Sequence, residues 1–120
     1  MTPLPPLFAN WFAAKGWHIH PHQQDMLDRA DAPALLLIAP TGGGKTLAGF
    51  LPTLVDLARQ PHDGLHTLYV SPLKALAADI KRNLTTPVTE MALPIRIEDR
   101  TGDTPATRKR RQRADPPHIL

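Results

Sequence analysis

Ala39-Pro40-Thr41-Gly42-Gly43-Gly44-Lys45-Thr46 brings together the residue types that grip a triphosphate. Glycine lacks the Cβ that would block the φ values needed to turn successive backbone N–H groups inward around an anion. Thr41, Gly42, Gly43 and Gly44 then form the cradle. Lys45 supplies a mobile point charge for the β- and γ-phosphates, and the Thr46 hydroxyl is placed to ligate Mg²⁺. Lys45 and Thr46 are therefore the candidate catalytic pair, and Thr46 is the candidate metal ligand. An ordinary Gly-rich turn capping a helix would need none of these types in this order.

The loop works only if flanking elements hold it, and the sequence supplies them. Leu35 to Ala39 reads as a near-continuous apolar strand, the pattern of a buried parallel strand. Leu47 to Ala58 reads as a helix with Leu47, Phe50, Leu51, Leu54 and Leu57 on one face, and Pro52 is expected to kink it. Strand, Gly-rich turn and helix are the context a phosphate-binding P-loop requires. Free N–H groups and the positive end of the helix dipole lie at the loop's exit.

Further elements surround this unit. Leu7 to Lys15 has helical spacing and ends at Gly16; Pro21 keeps His20 extended before a short helix from His22 to Ala30. Downstream, His66–Ser71 is expected as a second strand. A helix follows with Leu73, Leu76, Ala77, Ile80 and Leu84 inward, broken or bent at Thr86-Pro87. Pro94–Glu98 is a third strand, Thr104–Arg113 a basic helix, and His118-Ile119-Leu120 a fourth strand cut short. Alternating strands and helices call for an α/β fold with a parallel sheet and right-handed crossovers. The short last strand marks the chain as the N-terminal part of a larger domain, with residues 1–33 a helical lead-in and 34–120 the nucleotide-binding part.

Composition narrows the class. At 120 residues and 42% apolar content the chain has room for a single core, and it has no cysteine for disulfides or thiolate-bound metals. The apolar run from Ala34 to Ala39 is too short to span a bilayer, and the N-terminus has no signal-peptide pattern, so a cytoplasmic protein is expected. The net charge of +3 is uneven: residues 100–120 carry 6 Lys/Arg against 2 Asp/Glu, while residues 1–99 carry 8 against 9. The cluster Arg108-Lys109-Arg110-Arg111 with Arg113 is either a nucleic-acid contact or a solvated helix face.

The loop starts with Ala39 where the general P-loop pattern has glycine, and in that form it resembles motif I of superfamily 2 helicases. Other segments resemble that superfamily's motifs in the right order. Gly16-Trp17 and His20-Pro21-His22-Gln23 look like the Q motif, whose glutamine offers a donor and an acceptor to the N6 and N7 edge of adenine. Gln23 is thus the adenine reader, and Trp17 either stacks on the base or belongs to the core. Ser71-Pro72-Leu73-Lys74-Ala75-Leu76 resembles motif Ia, and Arg100-Thr101-Gly102-Asp103-Thr104 the T-G-D motif. In that superfamily such segments contact nucleic acid, which implies Ser71, Lys74, Thr101, Gly102 and Asp103 as DNA-contact residues. Taken alone, each could instead be a plain helix cap.

The wording of these segments is most similar to the Lhr-type large helicases, and among them to the bacterial ligase-associated DEXH-box helicases. The resemblance covers roughly residues 7 to 120. It implies a RecA-like P-loop NTPase domain, here incomplete, from an ATP- and Mg²⁺-dependent helicase acting in DNA repair. Such an enzyme translocates 3′ to 5′ on single-stranded or forked DNA, with no membrane association and with a repair ligase and nuclease as partners. The family's D-E-x-H box does not occur in these 120 residues. Hydrolysis needs a carboxylate for Mg²⁺, a group to position water and arginine fingers, so the chain alone is expected to be inactive. Asp99 and Asp103 do not have the placement of those acids. The rival readings are a non-catalytic nucleotide- or DNA-binding module and a P-loop enzyme of another class.

Overall fold

A computed structural model describes residues 2–38, 45–60 and 63–120, and its packing divides the chain into two compact units, Met1–Asp56 and Leu57–Leu120. The cradle residues Ala39 to Gly44 lie outside the described residues.

In the first unit, helix α1 (Pro6–Ala14) begins with Pro6, whose fixed φ and missing N–H suit a first helical turn. Phe8, Trp11 and Phe12, spaced three and four apart, bury one stripe. Burying such side chains contributes about 1.5–3 kcal/mol each. Gly16 stops the helix at φ +70, where a Cβ would be strained. The Gly16 N–H bonds the Ala13 carbonyl at 3.0 Å and the Trp17 N–H reaches back to the Phe12 carbonyl at 2.9 Å. This closure puts the Trp17 ring edge-on to Trp11, 5.4 Å between centroids.

Helix α2 (Pro21–Asp28) follows an extended His20, φ −74 and ψ 152, as Pro21 requires. Helix α3 (Lys45–Arg59) runs through Pro52 as one element and buries Ala48, Phe50, Leu51, Leu54, Val55 and Leu57. Residues 34–38 are not a strand, contrary to the expected buried strand at Leu35–Ala39. Leu36 is 87% exposed and Ile38 85% exposed. A parallel strand is stabilised by ladder bonds to its neighbours, and none pairs with these residues among those described.

In the second unit, three short segments meet side by side. Ile119 bridges Thr67 on one side and Ile97 on the other, both in parallel register. Thr67 N–H donates to the His118 carbonyl at 2.9 Å and Leu120 N–H returns to the Thr67 carbonyl at 3.1 Å. Across the segment, Ile119 N–H bonds the Arg96 carbonyl at 3.2 Å and Glu98 N–H the Ile119 carbonyl at 3.1 Å. The expected strands at 66–71, 94–98 and 118–120 thus reduce to isolated bridges, with no extended parallel sheet among the described residues. Both ladders share the same short central segment, and neither outgrows it.

Helix α4 (Lys74–Glu90) passes through Pro87 instead of breaking there. Leu84, Pro87 and Val88 are buried together, and the Thr85 hydroxyl bonds the Lys81 carbonyl at 2.7 Å. Burial of this stripe offsets the backbone bond that proline cannot make. The other end differs from expectation: Leu73 is 58% exposed and Leu76 43% exposed, so the inward face is confined to the C-terminal half. Helix α5 (Ala106–Ala114) has almost no apolar stripe and is fastened by polar contacts described below.

Candidate nucleotide and nucleic-acid sites

Lys45 and Thr46 are the first two residues of α3, so the expected helix start after the Gly-rich loop is realised. Lys45 is exposed and Thr46 half-buried. No acidic residue occupies the first turn, so nothing in it neutralises the positive end of a 15-residue helix. N-terminal amides, an ammonium and a hydroxyl suit a phosphate chain and a hard cation. Among the described residues no group of three or more His, Cys, Asp or Glu is arranged to hold a metal ion.

Gln23 is buried at 3% exposure, not a solvated helix residue. Its Oε1 accepts the His20 N–H at 2.9 Å while the His20 side chain takes the Gln23 backbone N–H, a reciprocal capping box. The amide is held in one orientation by this box. His20 and His22 stack with 5.4 Å between ring centroids. The capping role escaped the sequence reading because histidine is an unusual N-cap; the signal was Gln23 three residues after it, with Pro21 between. Trp17 resolves into an intermediate state: it packs edge-on against Trp11 and Phe12 yet stays 50% exposed.

In the second unit, Lys74 opens α4 and its ammonium is 2.8 Å from the Asp103 carboxylate. Two segments 29 residues apart in sequence, which resemble two motifs of the same helicase superfamily, are thereby joined by one ion pair. Both partners are largely exposed, 64% and 79%. Ser71 makes two long bonds, its Oγ accepting the Leu73 N–H and donating to the Leu73 carbonyl, both at 3.4 Å. Thr101 forms a closed turn: the Thr101 N–H donates to Thr104 Oγ1 at 2.9 Å, and the Thr101 hydroxyl accepts the Asp103 N–H at 3.2 Å. Gly102 lies at the tip of this turn with open space where a Cβ would stand. Neither Asp103 nor Thr104 caps α5, whose N-cap is Pro105 without a side-chain bond. The plain-cap alternative for this segment therefore fails.

Glu98 is the hub that fastens α5. Its carboxylate receives the Arg111 guanidinium, Gln112 Nε2 at 3.0 Å and Arg96 at 3.2 Å. Gln112, 2% exposed, also donates to the Asp99 carbonyl at 3.1 Å. Partial burial pushes the Glu98 carboxyl upward, but bonds from Gln112, Arg111 and Arg96 outweigh it and hold the group below its ordinary value. Asp99 lies 3.6 Å from both Lys81 and Arg108. Asp99 and Asp103 are thus engaged in ion pairs.

The family model for DEAD/DEAH box helicases matches residues 20–120, and the chain belongs to that family. Its relatives include the Lhr helicase/probable uracil glycosylase of Mycolicibacterium smegmatis, 50% identical over 98 residues, covering 71% of this chain and 6% of the relative. The ATP-dependent helicase Lhr-Core of Sulfolobus acidocaldarius is 39% identical over 127 residues, covering 96% of this chain and 14% of the relative. Among solved structures, Mycobacterium smegmatis helicase Lhr bound to ssDNA and AMP-PNP superposes with a TM-score of 0.86 at 40% identity. That match covers 97% of this chain and 16% of the other. The chain therefore spans less than a fifth of the relatives it matches. No helix among the described residues is long and apolar enough to cross a membrane.

Proposed function

We propose that this chain is the ATP-gripping and part of the DNA-tracking portion of a RecA-like helicase motor. The observation that carries this reading is Lys45-Thr46 opening an α3 whose first turn has no acid. In this reading Thr41 to Gly44 wrap the phosphates, Lys45 neutralises the β/γ end, and Thr46 holds Mg²⁺. When bound, Mg²⁺ screens the phosphate charge and fixes the oxygens. Gln23, oriented by His20, presents its amide to the adenine edge, and half-exposed Trp17 offers ring surface to the base. Ser71, Lys74, Thr101, Gly102 and Asp103 line the path of a single strand. Support comes from the mycobacterial Lhr structure, whose ligands are ssDNA and AMP-PNP. Translocation 3′ to 5′, action on forks and partnership with a repair ligase and nuclease are carried by family resemblance.

Titrating the chain with a fluorescent ATP analogue tests the grip. Lys45→Ala should lower affinity at least tenfold while leaving single-strand DNA binding unchanged; equal affinity would overturn the assignment. In the same assay Gln23→Ala should weaken ATP more than GTP, and equal losses would remove the adenine role. A second reading, a binding module without turnover, is favoured by Asp99 and Asp103 being engaged in ion pairs. DNA-stimulated phosphate release by the chain would exclude it.

A further inference from the structure

The five-cation run of α5 is divided by the fold into two sets. Arg108 faces Asp99 at 3.6 Å, and Arg111 pairs with Glu98 and reaches the Asp115 carbonyl at 3.4 Å. Buried Gln112 lies on this same inner side. At about 100° per residue, Arg110 and Arg113 fall on the opposite face, with Lys109 at its border. Arg110 and Arg113 are exposed and Lys109 is half-buried. These three make no ion pair or side-chain hydrogen bond among the described residues, whereas Glu98, Asp99 and Asp115 are taken by Arg96, Lys81, Arg108 and Arg111.

The outer set is self-repelling. Lys109 and Arg113 are four apart and Arg110 and Arg113 three apart, spacings at which like charges destabilise a helix. A face kept only for solubility mixes both signs; α5 contains no acid. From the uncompensated outer face and its position directly after the Thr101–Thr104 turn, we infer that Lys109, Arg110 and Arg113 form a second phosphate-contact surface. Its partner is the phosphodiester backbone of the DNA strand that also meets Lys74 and Thr101. The inference rests on reading that turn as part of a DNA path. A nine-residue helix is about 14 Å long, enough to follow several consecutive phosphates. Arg108 and Arg111 are assigned the opposite task of anchoring the helix.

The test is fluorescence-polarisation binding of the full chain to labelled single-stranded and forked DNA across a salt series. Each phosphate contact on a single strand contributes about 0.7 to the slope of log K against log salt. Changing Lys109, Arg110 and Arg113 together to Gln, a good helix former, should flatten that slope by about 2 and leave the melting temperature unchanged or raised. Arg108→Gln should lower the melting temperature while changing the slope by at most half as much. An unchanged slope in a folded triple variant on both DNAs overturns the second surface, and a Lys74→Gln loss in the same experiment shows that the DNA path itself still stands. If the triple variant is unfolded, the single variant Arg113→Gln carries the test, with a slope change of about 0.7 expected and none overturning it. Polyglutamate competing as well as DNA of equal charge would refute a nucleic-acid partner, and a wild-type chain that binds no DNA refutes both readings.

Discussion

Asp103 is the residue whose role depends most on what surrounds it. As an isolated carboxylate in a phosphate path it would repel DNA; paired with Lys74 at 2.8 Å it holds the ammonium in place of a phosphate. An exposed pair of this kind is weak, because water screens both charges. Strand phosphate should displace the carboxylate, and the pair should tax binding only slightly. Asp103→Asn is expected to raise single-strand affinity about two- to fivefold at low salt, with the gain shrinking as salt rises. Weaker binding by the Asn variant would instead make the carboxylate a positive contact. Gln23 shows the same dependence on context: its burial and the His20 N–H bond turn an ordinary helix glutamine into a fixed amide.

At the scale of elements, α5 depends on a single carboxylate more than on any apolar contact. Glu98 has its folded-state value depressed, so the ionised group stabilises the fold above its unfolded value. That contribution disappears as pH falls through the folded value. Acid should therefore loosen α5 in the window from the ordinary carboxylate value downward. Glu98→Gln should lower the melting temperature at neutral pH by an amount equivalent to roughly 1–2 kcal/mol. The gap to wild type should close as pH drops below the carboxylate range, and a gap that persists there would show that the loss is packing and not charge. Helix α4 is held differently. Leu84, Pro87 and Val88 pack its C-terminal half, while Lys74 stands at its exposed first turn. That asymmetry leaves the turn bearing the proposed nucleic-acid contact Lys74 accessible.

Across the whole chain, large apolar side chains remain on the surface in both units. Leu36 and Ile38 in the first, and Val70 in the second, are each more than three-quarters exposed, at 87%, 85% and 79%. They follow or precede the site segments, where the sequence had suggested buried strands. Such exposure favours self-association. Replacing all three with Ser or Thr should reduce light scattering at a fixed concentration while shifting the melting temperature by only a few degrees. A large loss of stability would mean that these side chains are buried in solution.

Helix positions were readable because their determinants are local. Pro6 and Pro21 start helices, Gly16 ends one, and Phe50, Leu51, Leu54 and Leu57 repeat at helical spacing. The phosphate role proposed for Lys45 and Thr46 rests on an equally local pattern, since the Gly-rich sequence adjoins the start of α3 in the chain. Strand content was over-read, because an apolar run records only a tendency to extend, and pairing needs a partner at long range. Of the break or bend expected at Thr86-Pro87, the break does not occur, because burial of the residues around Pro87 outweighs the lost bond.

By itself, then, the sequence determined the helices and the membership in a helicase family, through patterns among residues within a few positions of one another. The tertiary structure alone decided that Lys74 meets Asp103, that Glu98 takes Arg111 and Gln112, and that Ile119 lies between Thr67 and Ile97. It also divided the basic run into anchoring and unpaired cations. Those outcomes follow from contacts between distant segments, where charge and hydrogen bonding choose among many possible partners and no local spacing records the choice.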